Sequence, residues 1–437
     1  MSRILGGFAA LILWAVPAWA IVDIQEVTSP GGIEAWLVED HSIPFTALEI
    51  RFEGGAALDP EGKRGAAYFM SGLLEEGAGE YDARGYAART EALAASFEFD
   101  ISDDSLAISA RFLTENRDEA LEHLRLAIQE PRFDDEAIER VRAQILSVIA
   151  SDAQDPNAIV GARFDALAFP DHPYGTPYEG SAESVAGLTR DDLVASHRAI
   201  LARDRIHVGA AGDITAEELG GVLDALLGAL PETGAPLPED TEVALTGGVT
   251  VVPFASPQSV ARFGHEGLAR DDPDFFPAFI LNQIVGGGGF SSRLMQEVRV
   301  ERGLTYGIGS YLLPLDDAAL YIGQFSSDNT RIAEAIAVIR EQWADIAANG
   351  VTAEELDEAK VYLTGAYPLR FDGNGRIASI LVGMQQDDLS IDYIPTRNDK
   401  VRAVTLEDIA RVAARLLRPE DLRFVVVGMP EGLEASN

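Results

Sequence analysis

An internal repeat constrains this chain more than any other feature of its sequence. Residues 188–212 read LTRDDLVASHRAILARDRIHVGAAG, and residues 404–428 read VTLEDIARVAARLLRPEDLRFVVVG. The two segments align without a gap at an offset of 216 residues, so that their threonines and their terminal glycines coincide. Each copy predicts a helix capped by its threonine, followed by a polar turn, a strand and a glycine. Self-similarity at this long period indicates two homologous domains rather than a solenoid.

The length of the chain agrees with such a duplication, because 437 residues exceed what one typical core accommodates. We predict an N-terminal domain over residues 22–232 and a C-terminal domain over residues 247–430. The stretch between them, residues 233–246, is rich in Pro, Gly and acidic side chains and is typical of a linker.

The hydrophobic patterns predict α+β domains, each with helices packed on one face of a mainly antiparallel sheet. For the first domain we predict a hairpin of strands 33–39 and 45–53, a strand at about 105–113, and helices at about 63–77, 83–97, 115–130 and 133–153. For the second we predict strands at about 249–254, 259–266, 304–312 and 318–325, and helices at about 272–285, 291–302, 329–348 and 353–365.

The N-terminus predicts export. Arg3 precedes an almost wholly apolar run over residues 4–16, and Ala18-Trp19-Ala20 fits an A-x-A cleavage site, so residues 1–20 read as a signal peptide. The alternative is an uncleaved membrane anchor. No other stretch is long and apolar enough to span a bilayer, and the chain has no cysteine. We therefore expect a periplasmic or secreted protein, without disulfides, that is stabilised by a large core.

The formal net charge of −37 argues against nucleic acid as a partner, because the phosphate backbone would repel the chain. It argues equally against anionic membrane surfaces.

Residues 286–306, GGGGFSSRLMQEVRVERGLTY, carry the most informative motif. The pattern predicts a mobile glycine loop, a helix capped by Ser291 or Ser292 that stops at Gly303, and a strand from Leu304 onwards. Alternatives remain for each part: the glycines suit a plain linker, the arginine a surface ion pair, and the tyrosine a half-buried position in a strand.

The ordered set of glycine loop, FSSRL, Arg299, RGL and Tyr306 resembles the C-terminal half of the insulinase/pitrilysin family of zinc metallopeptidases, which includes the mitochondrial processing peptidases. The resemblance implies that Arg299 and Tyr306 contact a peptide near the scissile bond and act on a zinc site carried elsewhere in the enzyme. The preceding segment is predicted to bind substrate through Gly286, Gly287, Gly288, Gly289 and Phe290.

The same resemblance implies a His-x-x-Glu-His zinc motif on a helix of the first domain. The matching helix, residues 62–77, holds Tyr68, Ser71 and Gly72 at the three motif positions. A further glutamate is expected from residues 141–150, which contain no acidic side chain. No two histidines lie four residues apart, so no replacement helical pair exists. We therefore expect no metal in this chain.

These features predict the zinc-less subunit of a heterodimeric, exported peptidase. The implied partner is a homologous chain that carries His-x-x-Glu-His and the zinc, and the implied substrate is a peptide. One alternative is a non-enzymatic peptide-binding or scaffold protein of the same fold. Another is a self-contained zinc peptidase, which the missing motif disfavours. The sequence leaves open whether the chain also forms homodimers.

Overall fold

The structure, a computed structural model, describes residues 22–436. The predicted signal peptide, residues 1–20, lies outside the described residues. Within the described range, every helix is too short or too polar to cross a bilayer. The two halves of the chain each build one large sheet, and the helices pack against these two sheets.

The sheet of the first half has six strands within the described residues. Its strands are β1 Gln25–Thr28, β2 Glu34–Glu39, β3 Phe45–Glu53, β6 Ser96–Ile101, β7 Ser105–Leu113 and β8 Ile206–Gly212. Two further short strands, β4 Gly77–Ala78 and β5 Tyr81–Asp82, form a separate two-stranded ribbon. The spatial order is β1–β2–β8–β3–β7–β6. β2 and β8 run parallel, and the other neighbours are antiparallel.

The predicted hairpin of residues 33–39 and 45–53 is wrong in its pairing, although both strands exist. The repeat strand β8 lies between them: Trp36 pairs with Gly209 on one side, and Ile50 pairs with Val208 on the other. An alternating apolar pattern reports which face of a strand is buried and does not identify its neighbour. The long-range pairing of β8 therefore could not be read from this local pattern.

The sheet of the second half repeats the strand order of the first, except that it has no counterpart of the edge strand β1 within the described residues. Its strands are β9 Gly248–Pro253, β10 Gln258–Glu266, β11 Ile308–Pro314, β12 Ala319–Asp328 and β13 Arg423–Gly428. They are ordered β9–β13–β10–β12–β11, so that the repeat strand β13 again lies between a parallel and an antiparallel neighbour. The prediction of two homologous α+β domains is confirmed. Residues 233–246 form no helix or strand, and the exact domain boundaries stay a prediction.

The helices of the first half are α1 Ala66–Ser71, α2 Ala83–Ala92, α3 Arg117–Gln129, α4 Asp135–Asp152, α5 Pro156–Ala168, α6 Ala182–Gly187, α7 Arg190–Ile200 and α8 Ala216–Leu227. Those of the second half are α9 Phe275–Asn282, α10 Ile332–Asn349, α11 Ala353–Ala366, α12 Asn374–Gln386, α13 Tyr393–Ala403 and α14 Leu406–Leu416. α1 is much shorter than the predicted helix 63–77, and no helix was predicted from the sequence at the positions of α5, α6, α8, α12 and α13.

The repeat helices α7 and α14 begin in the same way. Thr189 accepts a hydrogen bond from the backbone N–H of Asp192, whose carboxylate accepts one from the Thr189 N–H in return. Thr405 and Asp408 form the same reciprocal pair. The predicted threonine caps are thus confirmed, and each supplies partners for two N–H groups that a helix start leaves unpaired.

Each sheet receives one helix from the other half of the chain. One face of each sheet packs on helices of its own half. On the opposite face, α12 of the second half lies against β8 and β3, where Ala378 contacts Ala47 and Ala211. Reciprocally, α5 of the first half lies against β13 and β10, where Phe164 packs with Val425. This exchange buries apolar surface between the halves and holds them together.

Candidate functional site

The helix that should carry the zinc motif is short and apolar. At the start of α1, the Asp59 carboxyl accepts hydrogen bonds from the backbone N–H groups of Gly65 and Ala67, both at 2.8 Å. Burial raises the pKa of this carboxyl to about 6. At the motif positions, the Tyr68 ring meets the Tyr178 ring edge-on, with 5.7 Å between centroids. The Ser71 hydroxyl donates to the Tyr68 carbonyl, so neither side chain offers a metal ligand in the required geometry.

The segment expected to supply the remaining ligand has no acidic side chain. Residues 141–150 lie within α4, where Ile149 packs against the core. A Cβ added to Gly72, at the third motif position, would meet Val141 at 3.5 Å and the carbonyl oxygens of Phe69 and Tyr68 at 3.7 Å. Among residues 22–436, no group of three or more His, Cys, Asp or Glu side chains is placed to hold a metal ion. The residues at this position therefore do not fit a zinc ion.

The glycine segment differs from the predicted mobile loop. α9 continues into a π-helical turn over Gln283–Gly287, so the first two glycines belong to a helix. A Cβ on Gly286 would lie 2.3 Å from the Ser310 hydroxyl oxygen of β11, and one on Gly287 would lie 2.8 Å from Asn282 Nδ2. Glycine is needed at these two positions because neighbouring atoms approach closely, and a π-turn of this kind often marks a functional site.

All residues of the glycine segment except Gly286 reach the surface. Gly286 is buried, whereas Gly289 has a φ of +57° and nothing within 4 Å of the position of a Cβ. Phe290 follows with 62% of its surface exposed. The predicted substrate contacts remain predictions for Gly287, Gly288, Gly289 and Phe290, which a substrate could reach. Gly286 is buried, so a substrate has no surface to contact there.

The predicted caps of the next helix are wrong. The hydroxyls of Ser291 and Ser292 donate to the carbonyls of Gly288 and Gly289 instead of accepting from helix N–H groups. The helix then widens into a second π-helical segment, Met295–Val300. These hydroxyl bonds satisfy carbonyls of the tight glycine turn, which the sequence pattern did not reveal.

Arg299 lies in the last turn of this π-helical segment. Its guanidinium carbon lies 4.6 Å from the centroid of the Phe290 ring, a cation–π contact. The nearby Glu297 forms its ion pair with Arg302 rather than with Arg299. Within the described residues no carboxylate lies within 4.0 Å of the Arg299 guanidinium. The surface-ion-pair alternative for Arg299 is therefore not what this structure contains.

The predicted strand start at Leu304 is wrong, because residues 303–307 form a corner and β11 begins at Ile308. Side chains replace the expected strand hydrogen bonds here. The buried Thr305 hydroxyl donates to the Ser326 carbonyl at 2.7 Å, and the Ser327 hydroxyl donates to the Leu304 carbonyl at 2.6 Å. The corner is therefore fastened to β12 without being part of the ladder.

The start of the corner is fixed as well. The Arg331 guanidinium donates to the carbonyls of Arg302 and Gly303, at 2.8 and 2.9 Å, and so satisfies the end of the helical segment. Gly303 ends the helix with a φ of +60°, as the sequence predicted. The supporting residues Thr305, Ser327 and Arg331 were missed in the sequence, because their partners are distant in the chain.

Tyr306 projects from this fastened corner with 78% of its surface exposed. It is neither half-buried nor part of a strand, contrary to the alternative raised from the sequence. One short segment thus carries an accessible phenol and a guanidinium held by an aromatic ring. Both groups are hydrogen-bond donors suited to a carbonyl oxygen or an oxyanion.

The fold and the altered zinc helix define a metallopeptidase-like protein without the metal motif. The family model described as "Insulinase (Peptidase family M16)" matches residues 35–181, and the model described as "Peptidase M16 inactive domain" matches residues 187–363. The chain belongs to the insulinase family, peptidase family M16, and holds Tyr68, Ser71 and Gly72 in place of the His-x-x-Glu-His zinc ligands.

Similar proteins occur in several bacteria. The chain is 25% identical over 392 residues to the "Non-peptidase homolog YmxG" of Helicobacter pylori. The alignment covers 89% of this chain and 90% of that protein. It is 24% identical over 405 residues to an "Uncharacterized zinc protease" of Streptomyces coelicolor, covering 90% of this chain and 87% of that one.

The fold matches solved structures along nearly its whole length. A crystal structure of a peptidase M16 inactive domain from Pseudomonas fluorescens superposes with a TM-score of 0.88 at 26% identity, covering 94% of this chain and all of that one. A protease from Helicobacter pylori has a TM-score of 0.84 at 16% identity, covering 93% and 99%, and shows the fold alone.

Proposed function

We propose that this protein is the zinc-less subunit of a heterodimeric, exported metallopeptidase. It binds the peptide substrate and supplies Arg299 and Tyr306 to the active site of a homologous partner that carries His-x-x-Glu-His and the zinc. The observation that carries the proposal is the presentation of Tyr306: the side chain is 78% exposed, while Thr305 beside it is buried and bonded to β12. A tyrosine held outward on a fastened corner is suited to a ligand that comes from outside the chain.

The chemistry of the pair fits peptide hydrolysis. The partner's zinc site would supply the attacking water, and this chain would bind and orient the scissile carbonyl. The Arg299 guanidinium donates to the peptide carbonyl, and the Tyr306 phenol donates to the oxygen on which negative charge develops. Such donors stabilise the transition state most when they are held in place beforehand, which the contacts of Phe290 and Thr305 favour.

The surface around the corner supports a partner or peptide contact. Phe290, Val300 and Tyr306 are large apolar or aromatic side chains with more than half of their surface exposed. A cleft of about 100 Å³ joins the glycine segment at Gly288 to Tyr362 of α11, which is also mostly exposed. Clusters of exposed apolar side chains of this kind mark interaction surfaces. Periplasmic or secreted localisation, from the signal peptide over residues 1–20, is part of the same proposal.

The test is reconstitution. The mature chain would be co-expressed with a same-fold chain that carries His-x-x-Glu-His from the same genome, and the two would be purified through a tag on this chain alone. We expect a 1:1 complex that contains one zinc ion and cleaves an unstructured peptide, while the isolated chain neither binds stoichiometric zinc nor cleaves. Cleavage by the isolated chain, or failure of every such zinc-bearing chain to associate, would refute the proposal.

A second candidate is a peptide-binding or scaffold protein without any catalytic role. The observation in its favour is that the Arg299 guanidinium already has an intramolecular contact, the Phe290 ring. The two candidates differ in one outcome of the reconstitution. A scaffold would associate with a zinc-bearing chain without changing the rate at which that chain cleaves peptides.

A further inference from the structure

A cavity in the second half of the molecule lies apart from the Arg299–Tyr306 corner. Its volume is about 520 Å³, and it lies between α9, β11, α12 and α13. Aromatic side chains form much of its wall, among them Phe275, Tyr367 and Tyr393. Cavities of this size with an apolar wall and a few charged groups are the usual form of sites for small molecules.

The charge of the cavity is opposite to that of the chain. Four arginines line it, Arg51, Arg270, Arg370 and Arg397, against one carboxylate, Asp387. The whole chain has 71 acidic and 34 basic side chains, so a random choice of lining residues would be acidic. The cavity therefore concentrates positive charge within a protein whose overall field repels anions.

Arg397 is the most informative of the four. Only 4% of its surface is exposed, its guanidinium donates to the Leu363 carbonyl at 2.8 Å, and it lies 4.6 Å from the centroid of the Tyr367 ring. Within residues 22–436 no carboxylate lies within 4.0 Å of this guanidinium. A buried cation without a counterion is costly, and an anion in the cavity would lower that cost.

The other arginines leave room for a ligand. Arg270 pairs with Asp387 at 2.8 Å and lies over the Phe275 ring at 4.4 Å, whereas Arg370 is exposed at the cavity wall. Arg51 enters from β3 of the first half, and its Nε is buried without a hydrogen-bond partner in the described structure. Arg51 also lies 3.7 Å from a carboxylate oxygen of Glu49 and donates to the Gln386 side-chain oxygen at 2.5 Å. Within the described residues, Arg370 and Arg397 have no carboxylate within 4.0 Å, so the wall keeps a net positive charge.

A cavity beside the other exchanged helix provides a comparison. It has a volume of about 730 Å³, lies along the exchanged helix α5, and receives Arg262 from the sheet of the other half, as the second cavity receives Arg51. Its wall carries four carboxylates, those of Asp103, Asp152, Asp165 and Glu179. Both cavities lie beside an exchanged helix, but only the wall of the second carries more arginines than carboxylates. The packing of an exchanged helix therefore does not by itself account for the arginines.

We propose that the cavity of the second half binds a small organic anion, a carboxylate or phosphate group joined to an aromatic or apolar body. The anionic group lies beside the guanidiniums of Arg370 and Arg397, and the apolar body packs against the aromatic wall. Guanidinium groups bind both carboxylate and phosphate with paired hydrogen bonds. This site does not depend on the peptidase role and would be present in the isolated chain.

The test is calorimetric titration of the full mature chain with three probes: N-acetylphenylalanine, its neutral amide, and phenyl phosphate. We expect at least one of the two anions to bind at least tenfold more tightly than the amide, and the stronger one identifies the anionic group. Binding of the amide as tightly as both anions, or no binding by any probe, would overturn the proposal.

Variants locate the binding. Arg370→Gln changes an exposed side chain and should leave folding intact, and we expect it to weaken the bound anion about tenfold. Arg376→Gln, also exposed and on α12 but outside the cavity wall, is the matched control and should bind as the unmodified chain does. Equal affinities of the two variants would overturn the assignment. Arg397→Gln is a stronger test where melting curves show that it folds.

Discussion

The guanidinium of Arg299 lies over the ring of Phe290, with 4.6 Å between its carbon and the ring centroid. This contact joins the end of the glycine segment to the helix before the Tyr306 corner. If it orients Arg299 for substrate, Phe290→Leu should lower the kcat/KM of the reconstituted complex about threefold, because the cation–π contact is worth about 0.5–1 kcal/mol. Phe290→Tyr keeps the ring face and is the control. Equal steady-state kinetics for the two variants would show that the ring does not orient Arg299.

Gly303 and Gly307 test how the corner is built. Neither has an atom within 4 Å of the position of a Cβ, but only Gly303 has a positive φ, +60°. Gly303→Ala should therefore lower the free energy of unfolding by about 1–2 kcal/mol through backbone strain alone. Gly307→Ala should change it by less than about 0.5 kcal/mol. Urea unfolding of both variants measures the difference, and equal values would mean that residue 303 can leave the left-handed region freely.

His265 predicts an acid-sensitive core. It is 1% exposed, its Nδ1 contacts the Glu266 carbonyl at 2.7 Å, and its Nε2 accepts the indole N–H of Trp343 at 3.0 Å. Burial lowers the pKa of His265 from 6.5 to about 4. The unfolded chain therefore binds the proton more readily than the folded chain does, and stability that is present above pH 6.5 is lost as the pH falls towards 4.

The expected size of this loss is about 2 kcal/mol between pH 8 and pH 5. His265→Gln removes the titrating group and retains an acceptor for Trp343. The free energy of unfolding would be measured by urea titration at pH 8 and at pH 5 for both proteins. The decrease between the two pH values should be about 2 kcal/mol smaller for His265→Gln than for the unmodified chain. If the two proteins lose stability in parallel, His265 does not titrate in this way.

Phe164 tests the exchange of helices between the halves. It is fully buried on α5 and packs with Val425 on the sheet of the other half. Phe164→Ala should lower the free energy of unfolding by about 3–5 kcal/mol, because it leaves a cavity in this interface. Val148→Ala, at an exposed position of α4, is the control and should change the value by less than about 0.5 kcal/mol. A loss below about 1 kcal/mol for Phe164→Ala would mean that the halves are not stabilised by this contact.

Local signals predicted much of the fold. The reciprocal caps of Thr189 and Thr405 lie within three residues of their partners, so the two repeat helices could be located from the sequence. β7 could also be located from the sequence, because the strand predicted over residues 105–113 coincides with the observed strand Ser105–Leu113. The repeat itself then predicted two homologous domains.

Features that depend on distant residues were not predictable in this way. The place of β8 between β2 and β3, and the exchange of α5 and α12, depend on which surfaces meet in the folded chain. At the candidate site, the alternation of Leu304 and Tyr306 suggested a strand. The hydroxyls of Thr305 and Ser327 take over the hydrogen bonds there and turn the segment into a corner. The arginines of the second cavity converge from positions as far apart as 51 and 397.

In the proposed complex, this chain completes an active site that it does not itself contain. The most direct measurement is kcat of the reconstituted complex in which this chain carries Arg299→Ala together with Tyr306→Phe. We expect a fall of about 100-fold or more, since loss of one oxyanion donor typically costs about 10²–10³ in rate. A complex with Arg302→Ala and Tyr311→Phe, at accessible positions outside the pair, should keep its kcat. An unchanged kcat in the Arg299 and Tyr306 variant, with the complex intact, would contradict the account.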